Sequence, residues 1–172
     1  YVNEFQKTIP LTIGELWAIP TMMRFKILEG LASSLSILID KKYESKNVFP
    51  FSFENAEKEI AFLEAADYVS VFILSLRMIA NQDWKVFFED CSLVEKKLRK
   101  DPAGFYDKMD FATRNSYRNE IEELGKGSAL AEIEAVEKCL ELVEKGSDFQ
   151  ERTVGYYLIH LGREELEKEL AY

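Results

Sequence analysis

The sequence predicts an all-α protein, an irregular multi-helix bundle around one long central helix at about residues 52–80, with no sheet. Apolar residues recur at helical spacing along most of the chain. Residues that cap or break helices separate these segments. We find no alternating strand of useful length and no Asn-Gly or Asp-Gly hairpin turn between two such strands.

Composition favours one folded domain over residues 1–172. The chain is 47% hydrophobic and 31% charged, which is ordinary for a globular protein. Its net charge of −9 repels nucleic acid, and the only dense basic group is Lys96, Lys97, Arg99 and Lys100. We therefore expect no nucleic-acid partner.

Apolar runs such as Val69 to Leu76 are far shorter than the roughly 20 residues that a membrane helix needs, so we expect no transmembrane segment. Residues 1–10 lack the pattern of a signal peptide. Cys91 and Cys139 lie in helical patterns and are expected to be free thiols in a reducing compartment. Because the chain starts at Tyr1, we expect it to be a piece of a longer protein.

The N-terminal part predicts a short helical segment, a connector and a long helix. Residues 1–7 fit the end of a helix, and Thr12 with Glu15 fits a capping box. Pro20 should kink the helix or divide it near Ile19, and the apolar pattern then continues to about Tyr43.

The predicted central helix has no Gly or Pro, and Ser52 is suited to cap its start. Apolar residues line more than one of its faces, so we expect its second half to be covered from several sides.

Shorter helices are predicted in the C-terminal half, and most begin at a capping residue. Asp83 precedes Trp84, and Ser92 forms a capping box with Glu95. Asp101 precedes Pro102, and Asp110 precedes a helix over 111–124. Ser128 starts a helix to Lys145, and the last segment is helical around Gly155 and Gly162.

Few residues suggest a catalytic or metal site. His160 is the only histidine, and its apolar neighbours favour a structural role, packed or half-exposed. No CxxC, HxxxH or ExxH spacing and no glycine-rich phosphate loop is present. The carboxylates mostly follow the i, i+3/i+4 pattern of solvated helix faces, which argues against a paired acid and base.

Two stretches are more unusual than bundle packing requires. Residues 10–24 combine two prolines, a glycine, Trp17 and Arg24. Residues 109–118 place Asp110, Arg114 and Arg118 one helical turn apart. On chemistry alone an exposed salt-bridge ladder is favoured, and a contact with a partner or another domain is the second interpretation.

Three stretches of the chain carry a resemblance to a known family. They are PLTIGELWAIPTMMRFKILEGL, DWKVFFEDCSLVEKKLRKDPAGFYDKMDFATRNSYRNEIEELGKGS and VGYYLIHLGREELE. In the same order, they resemble the region ahead of the first membrane helices in cyclic β-1,2-glucan synthases, which are large membrane glucosyltransferases. The resemblance covers most of the chain, and residues 43–61 are its least characteristic part.

The resemblance implies a non-catalytic helical domain of an enzyme that makes glucan from UDP-glucose, on the cytoplasmic side of the bacterial inner membrane. The Asp-x-Asp-like and Gln-x-x-Arg-Trp-like motifs of such enzymes are absent, so no catalytic, cofactor or metal residue is carried over. UDP-glucose and a divalent metal are expected only in the full-length parent. The expected partners are other domains of the same polypeptide, or a second copy, with Trp17, Arg24, Asp110, Arg114 and Arg118 as interface candidates.

Three other interpretations stay open. A stand-alone adaptor would bind a partner peptide in an apolar groove. A small carbohydrate-active enzyme would need two facing carboxylates in a cleft. Direct glucan binding would need exposed aromatic side chains among Trp17, Trp84, Tyr156 and Tyr157.

Overall fold

The computed structural model describes the backbone of residues 1–44 and 53–172 and the side chains of 1–39 and 61–172. These residues form nine α-helices, one short 3-10 helix and no strand, which confirms the all-α class. The α-helices are α1 (Val2–Phe5), α2 (Ile13–Glu44), α3 (Phe53–Asn81), α4 (Trp84–Cys91), α5 (Leu93–Leu98), α6 (Phe111–Gly127), α7 (Glu132–Lys145), α8 (Val154–Ile159) and α9 (Arg163–Leu170), and the 3-10 helix is Tyr106–Lys108.

The chain divides into two compact units. Unit 1 comprises Tyr1–Trp17 and Trp84–Tyr172, and unit 2 comprises Ala18–Asp83. This division does not test whether the two units act together, so the single domain over residues 1–172 stays a prediction.

Unit 1 is built around α7, which packs against α5, α6, α8 and α9. The helix has an apolar face that is fully buried and a charged face towards solvent, as expected for an amphipathic core helix. The core of the unit is completed by apolar side chains with almost no exposed surface: Phe88, Leu98, Tyr106, Ile121, Leu124, Val136, Cys139, Val143, Leu158, Leu166 and Leu170.

Polar contacts tie distant parts of unit 1 together. The amide of Gln6 donates to the carbonyl of Cys91 (2.9 Å), and the Tyr157 hydroxyl donates to the carbonyl of Leu142 (3.3 Å). Arg163 pairs with Glu120 at 2.7 Å, which links α9 to α6. Cys91 and Cys139 are both free and buried.

Several predicted caps are confirmed. The Thr12 hydroxyl accepts from the Glu15 amide (3.2 Å), and the Glu15 carboxylate accepts from the Thr12 amide (2.8 Å). Ser92 accepts from the amide of Glu95 (3.2 Å), and Asp110 accepts from the amide of Thr113 (2.8 Å). The predicted cap at Ser52 lies outside the described residues.

Two helix starts differ from prediction. Asp101 does not open a helix at Pro102, because its carboxylate accepts the amides of Phe105 and Tyr106 and holds a turn. Gly104 in this turn has φ +65°, which a helix does not allow. The helix predicted from Ser128 begins at Glu132, where the Glu134 carboxylate accepts from the amide of Ala131 (2.8 Å).

Of the two alternatives predicted at Pro20, a division of the helix near Ile19 is wrong, since α2 continues through Pro20 to Glu44. The proline removes one backbone donor, which costs hydrogen bonding within the helix. Its side chain is buried, and this packing offsets part of that cost.

The long helix α3 is close to its predicted bounds and belongs to unit 2, whereas α7 is the helix around which unit 1 is built. Within unit 2, α3 packs against α2, where a Cβ added at Gly30 would lie 2.6 Å from the Phe72 ring. The glycine therefore allows close approach of the two helices. In the described part of the chain, no helix combines the length and the apolar character that crossing a membrane requires.

Candidate functional site

The two unusual stretches of the sequence meet at Phe88 in unit 1. The ring of Trp17 stacks on Phe88 with centroids 4.7 Å apart and an angle of 8° between the planes. The Arg118 guanidinium lies 5.0 Å from the Phe88 centroid and 4.7 Å from that of Phe111. Trp17 and Arg118 therefore both contact the Phe88 ring, and the positive charge of Arg118 is attracted to the rings of Phe88 and Phe111.

Arg118 belongs to a group of charged residues that we call the ion cluster: Glu89, Glu95, Arg99, Asp107, Arg114 and Arg118, with the hydroxyl of Tyr106. It contains three carboxylates and three guanidinium groups, so its formal charges cancel. It joins α4, α5, α6 and the 3-10 helix.

Glu95 and Arg118 form the centre of the ion cluster, and both side chains are fully buried. One oxygen of Glu95 accepts from Arg118 Nη1 and from the Tyr106 hydroxyl, each at 2.6 Å. The other oxygen accepts from Arg99 Nε at 2.8 Å. Both oxygens of this buried carboxylate are therefore compensated, as a charge in the protein interior requires.

The rim of the ion cluster is more accessible. Arg114 Nη2 donates to Glu89 Oε1 at 2.6 Å, and Arg99 reaches both Glu89 (3.1 Å) and Asp107 (2.7 Å). The Nε atoms of Arg114 and Arg118 are buried and have no hydrogen-bond acceptor. The ion cluster is thus densely but incompletely bonded, and it should respond strongly to the loss of a carboxylate.

Hydrogen bonds in the ion cluster favour the charged form of Glu95 and the neutral form of Tyr106. Burial opposes ionisation of Glu95, but the hydrogen bonds from Tyr106 and Arg118 outweigh it and lower the pKa of the carboxyl group. Burial and the bond to Glu95 raise the pKa of the Tyr106 hydroxyl. Glu95 is therefore a buried carboxylate rather than an accessible general acid, and its arrangement suits structural support.

The interface candidates occupy different environments. Trp17 is half-buried, Arg114 is largely buried and Arg118 is fully buried, and these side chains lie at or beside the ion cluster. Asp110 is exposed and caps α6 instead of pairing along a ladder. Arg24 is exposed on the part of α2 that belongs to unit 2. The docking role of these residues stays a prediction.

Glu89 and Glu95 were not among the predicted site residues. Glu95 already had an assignment in the sequence as the second residue of a capping box with Ser92. The structure keeps the Ser92 half of that motif but directs the Glu95 carboxylate into the ion cluster. The signal in the sequence for these acidic partners was the pair Arg114 and Arg118, because buried charges require partners of opposite charge.

Unit 1 also contains an open pocket of about 360 Å³ between α6, α8 and the segment before α8. Four of its eight lining residues carry rings and none is Asp, Glu, Lys or Arg: Tyr117, Phe149, Gln150, Thr153, Gly155, Tyr156, Ile159 and His160. Tyr156 was an aromatic candidate in the sequence. His160 is exposed and lies beside the Tyr156 ring, at 6.0 Å between centroids.

Unit 2 exposes many large apolar side chains on both of its helices. On α2 these are Met22, Met23, Phe25, Leu28, Leu35, Ile37 and Ile39, and on α3 they are Leu63, Tyr68, Val71, Ile73, Leu74 and Met78. We call this set the apolar surface of unit 2. Exposed apolar side chains mark an interaction site where they form a contiguous patch, so this set is a candidate for one.

The described residues bring together no group of three His, Cys, Asp or Glu side chains suited to hold a metal ion. No protein-family model matches the chain.

The chain is similar to the cyclic beta-(1,2)-glucan synthase NdvB of Rhizobium meliloti (strain 1021). The two are 27% identical over 240 aligned positions, which include 99% of this chain. The chain spans only 8% of the length of that synthase.

Proposed function

We propose that this chain is a non-catalytic helical domain of a cyclic β-1,2-glucan synthase. The observation that carries the proposal is the alignment, which runs through 99% of this chain and reaches a small part of a much longer synthase. In the full enzyme, glucose would be transferred from UDP-glucose by other regions, which would also hold the nucleotide and a divalent metal.

The non-catalytic role is supported by the ion cluster. Its central carboxylate is buried and bonded through both oxygens, so it is not available to a substrate. Holding α4, α5 and α6 in place is a sufficient role for these charges.

The accessory role is supported by the apolar surface of unit 2. Other domains of the same polypeptide, or a second copy, would cover it, on the cytoplasmic side of the bacterial inner membrane. Arg24 is exposed between Met23 and Phe25 in the sequence of α2, and we propose that it would contact the partner directly. Arg114 and Arg118 would act indirectly by stabilising unit 1.

The proposal is tested by the size and fractionation of the native polypeptide, detected with an antibody against this chain. A membrane-bound polypeptide many times larger than 19.9 kDa is the expected result. A soluble polypeptide of that small size would contradict the proposal.

A stand-alone adaptor is the second candidate, and the same apolar surface favours it because it would also suit a partner helix. The two candidates differ in the length of the native polypeptide, so the fractionation experiment separates them.

A further inference from the structure

The pocket of unit 1 contains a polar group that the fold itself does not use. Tyr117 is 7% exposed, and its hydroxyl lies against Gly155, 2.7 Å from the position that a Cβ would take there. Among the described residues, no hydrogen bond joins this hydroxyl to another side chain or to the backbone, and Tyr117 lines an open pocket. The hydroxyl is therefore free to exchange hydrogen bonds with a ligand in place of water.

The pocket also contains other groups that can bond to or pack against a ligand. The phenol of Tyr156, the amide of Gln150 and the imidazole of His160 can donate or accept hydrogen bonds. The rings of Phe149 and Tyr156 supply flat apolar faces. The lining contains no Asp, Glu, Lys or Arg, so the pocket has no fixed charge with which to select an ionic ligand.

A neutral, polyhydroxylated ring offers a chemically suitable partner to each of these groups. The C–H face of a pyranose packs on an aromatic ring, and its hydroxyls exchange hydrogen bonds with phenol, amide and imidazole groups. The volume of about 360 Å³ is at the lower end of the range for small-molecule sites, roughly 300–1,000 Å³, which suits a short oligosaccharide.

We propose that this pocket binds a segment of glucan, with the Tyr117 hydroxyl as a ligand hydrogen-bonding group and Tyr156 as the stacking platform. The choice of β-1,2-linked glucose rests on the proposed function. The site would hold the glucan near the synthase without chemistry of its own.

The experiment is a titration of the 172-residue chain with a linear β-1,2-linked glucose tetrasaccharide, followed by calorimetry and by amide chemical shifts. The α-1,4-linked tetrasaccharide is the linkage control. We expect saturable binding of the β-1,2-linked sugar and shift changes concentrated at the pocket residues.

The Tyr117→Phe variant removes only the hydroxyl that has no partner, so we expect it to fold normally and to bind about three- to tenfold more weakly, the effect of one neutral hydrogen bond. Gln150→Ala, at an exposed side chain, should weaken binding in the same direction. Tyr157→Phe is the matched control, because its hydroxyl bonds to Leu142 and Tyr157 is not among the pocket-lining residues. Its affinity should equal that of the unmodified chain.

Absence of saturable binding, or unchanged affinity in Tyr117→Phe, would overturn this proposal. Binding of the α-1,4-linked sugar in preference to the β-1,2-linked one would also overturn it. If the titration fails and the native polypeptide is large and membrane-bound, the pocket proposal is wrong and the proposed function stands. If the chain binds β-1,2-glucan specifically but the native protein is small and soluble, the accessory-domain proposal is wrong and the pocket proposal stands.

Discussion

Glu95 shows how a single buried charge can hold several helices in unit 1. Its carboxylate receives hydrogen bonds from Arg118, Tyr106 and Arg99, which come from three separate segments. Burial of such a group is costly unless its partners remain in place. The ion cluster therefore links the position of each segment to that of the others.

Replacing Glu95 with Gln should destabilise unit 1 by about 3–5 kcal/mol, because the positive charge on three arginines then lacks its central carboxylate. Urea unfolding followed by circular dichroism measures this change. The control is Asp107→Asn at the exposed rim, where a surface ion pair contributes about 1 kcal/mol or less. Equal effects of the two substitutions would contradict the central role of Glu95.

Glu95 and Glu132 should affect stability with opposite dependence on pH. The folded-state pKa of Glu95 lies below its ordinary value of 4.5, so its contribution is complete above about pH 4.5 and is lost as pH falls through the folded pKa. Burial raises the pKa of Glu132. The hydrogen bond from the Ile13 amide opposes this rise, and the negative charge of Glu122 adds to it. Its stabilising contribution is therefore present below pH 4.5 and lost as pH rises through the raised pKa.

The substitutions Glu95→Gln and Glu132→Gln test this difference by unfolding at several pH values. The deficit of Glu95→Gln should shrink below pH 4.5. Glu132→Gln should match the unmodified chain at low pH and be equally or more stable at neutral pH, because Gln keeps the acceptor for Ile13 without the charge. The same pH dependence for both variants would show that one of the two assigned directions is wrong.

Sequence reasoning located the arginines at this site but not their partners. Arg114 binds Glu89 across 25 positions, and Arg118 binds Glu95 across 23. Local periodicity describes neighbours three or four residues apart and contains no information on such pairs. The exposed ladder predicted from Asp110 is therefore wrong, because Arg114 and Arg118 are buried and pair with Glu89 and Glu95.

At the scale of helices, local chemistry predicted most of the boundaries. Thr12, Ser92 and Asp110 cap helices as expected because each side chain bonds to an amide in its own first turn. Asp101 failed as a helix cap because its carboxylate reaches amides four and five residues ahead. Cap residues can hold turns as well as helices, and the sequence alone did not distinguish the two.

Gly30 sets the distance between α2 and α3, so Gly30→Val should weaken their packing. The added side chain would collide with the Phe72 ring, and overpacking of this kind costs about 1–3 kcal/mol. Hydrogen exchange of α3 amides measures the effect, and we expect faster exchange. The control is Gly14→Ala, where the new methyl meets only the end of the flexible Glu122 side chain at 3.1 Å. Unchanged exchange in Gly30→Val would exclude this role for the glycine.

At the scale of the whole chain, sequence identified the helical class but not the helix that organises the core. Long length and apolar residues on several faces suggested α3, yet α7 occupies the centre of unit 1. A helix that is apolar on several sides can be buried by its own chain or by a partner. Residues on α3 such as Leu74 and Met78 remain exposed, so the described residues do not cover its second half from several sides as predicted, and cover by a partner is our proposal.

A paired substitution on the apolar surface of unit 2 tests this proposal in the proposed full-length synthase. Phe25→Glu with Met78→Glu should lower glucan synthesis while the domain stays folded, because these side chains are already 71% and 74% exposed. Leu161→Glu is the control, since Leu161 is 76% exposed but belongs to unit 1. Synthesis should be measured by incorporation of labelled glucose. Normal incorporation with the paired substitution would contradict docking through this surface.

The two buried thiols give the chain a built-in report of its own unfolding. Burial raises the pKa of Cys139 to about 12 and also raises that of Cys91, so neither is a reactive thiolate in the folded state. A maleimide dye should leave the native chain unlabelled at neutral pH and modify both cysteines once it unfolds, which mass spectrometry would detect. A cysteine introduced at an exposed position such as Lys126 would then be a single attachment point for a fluorophore, without removal of the natural cysteines.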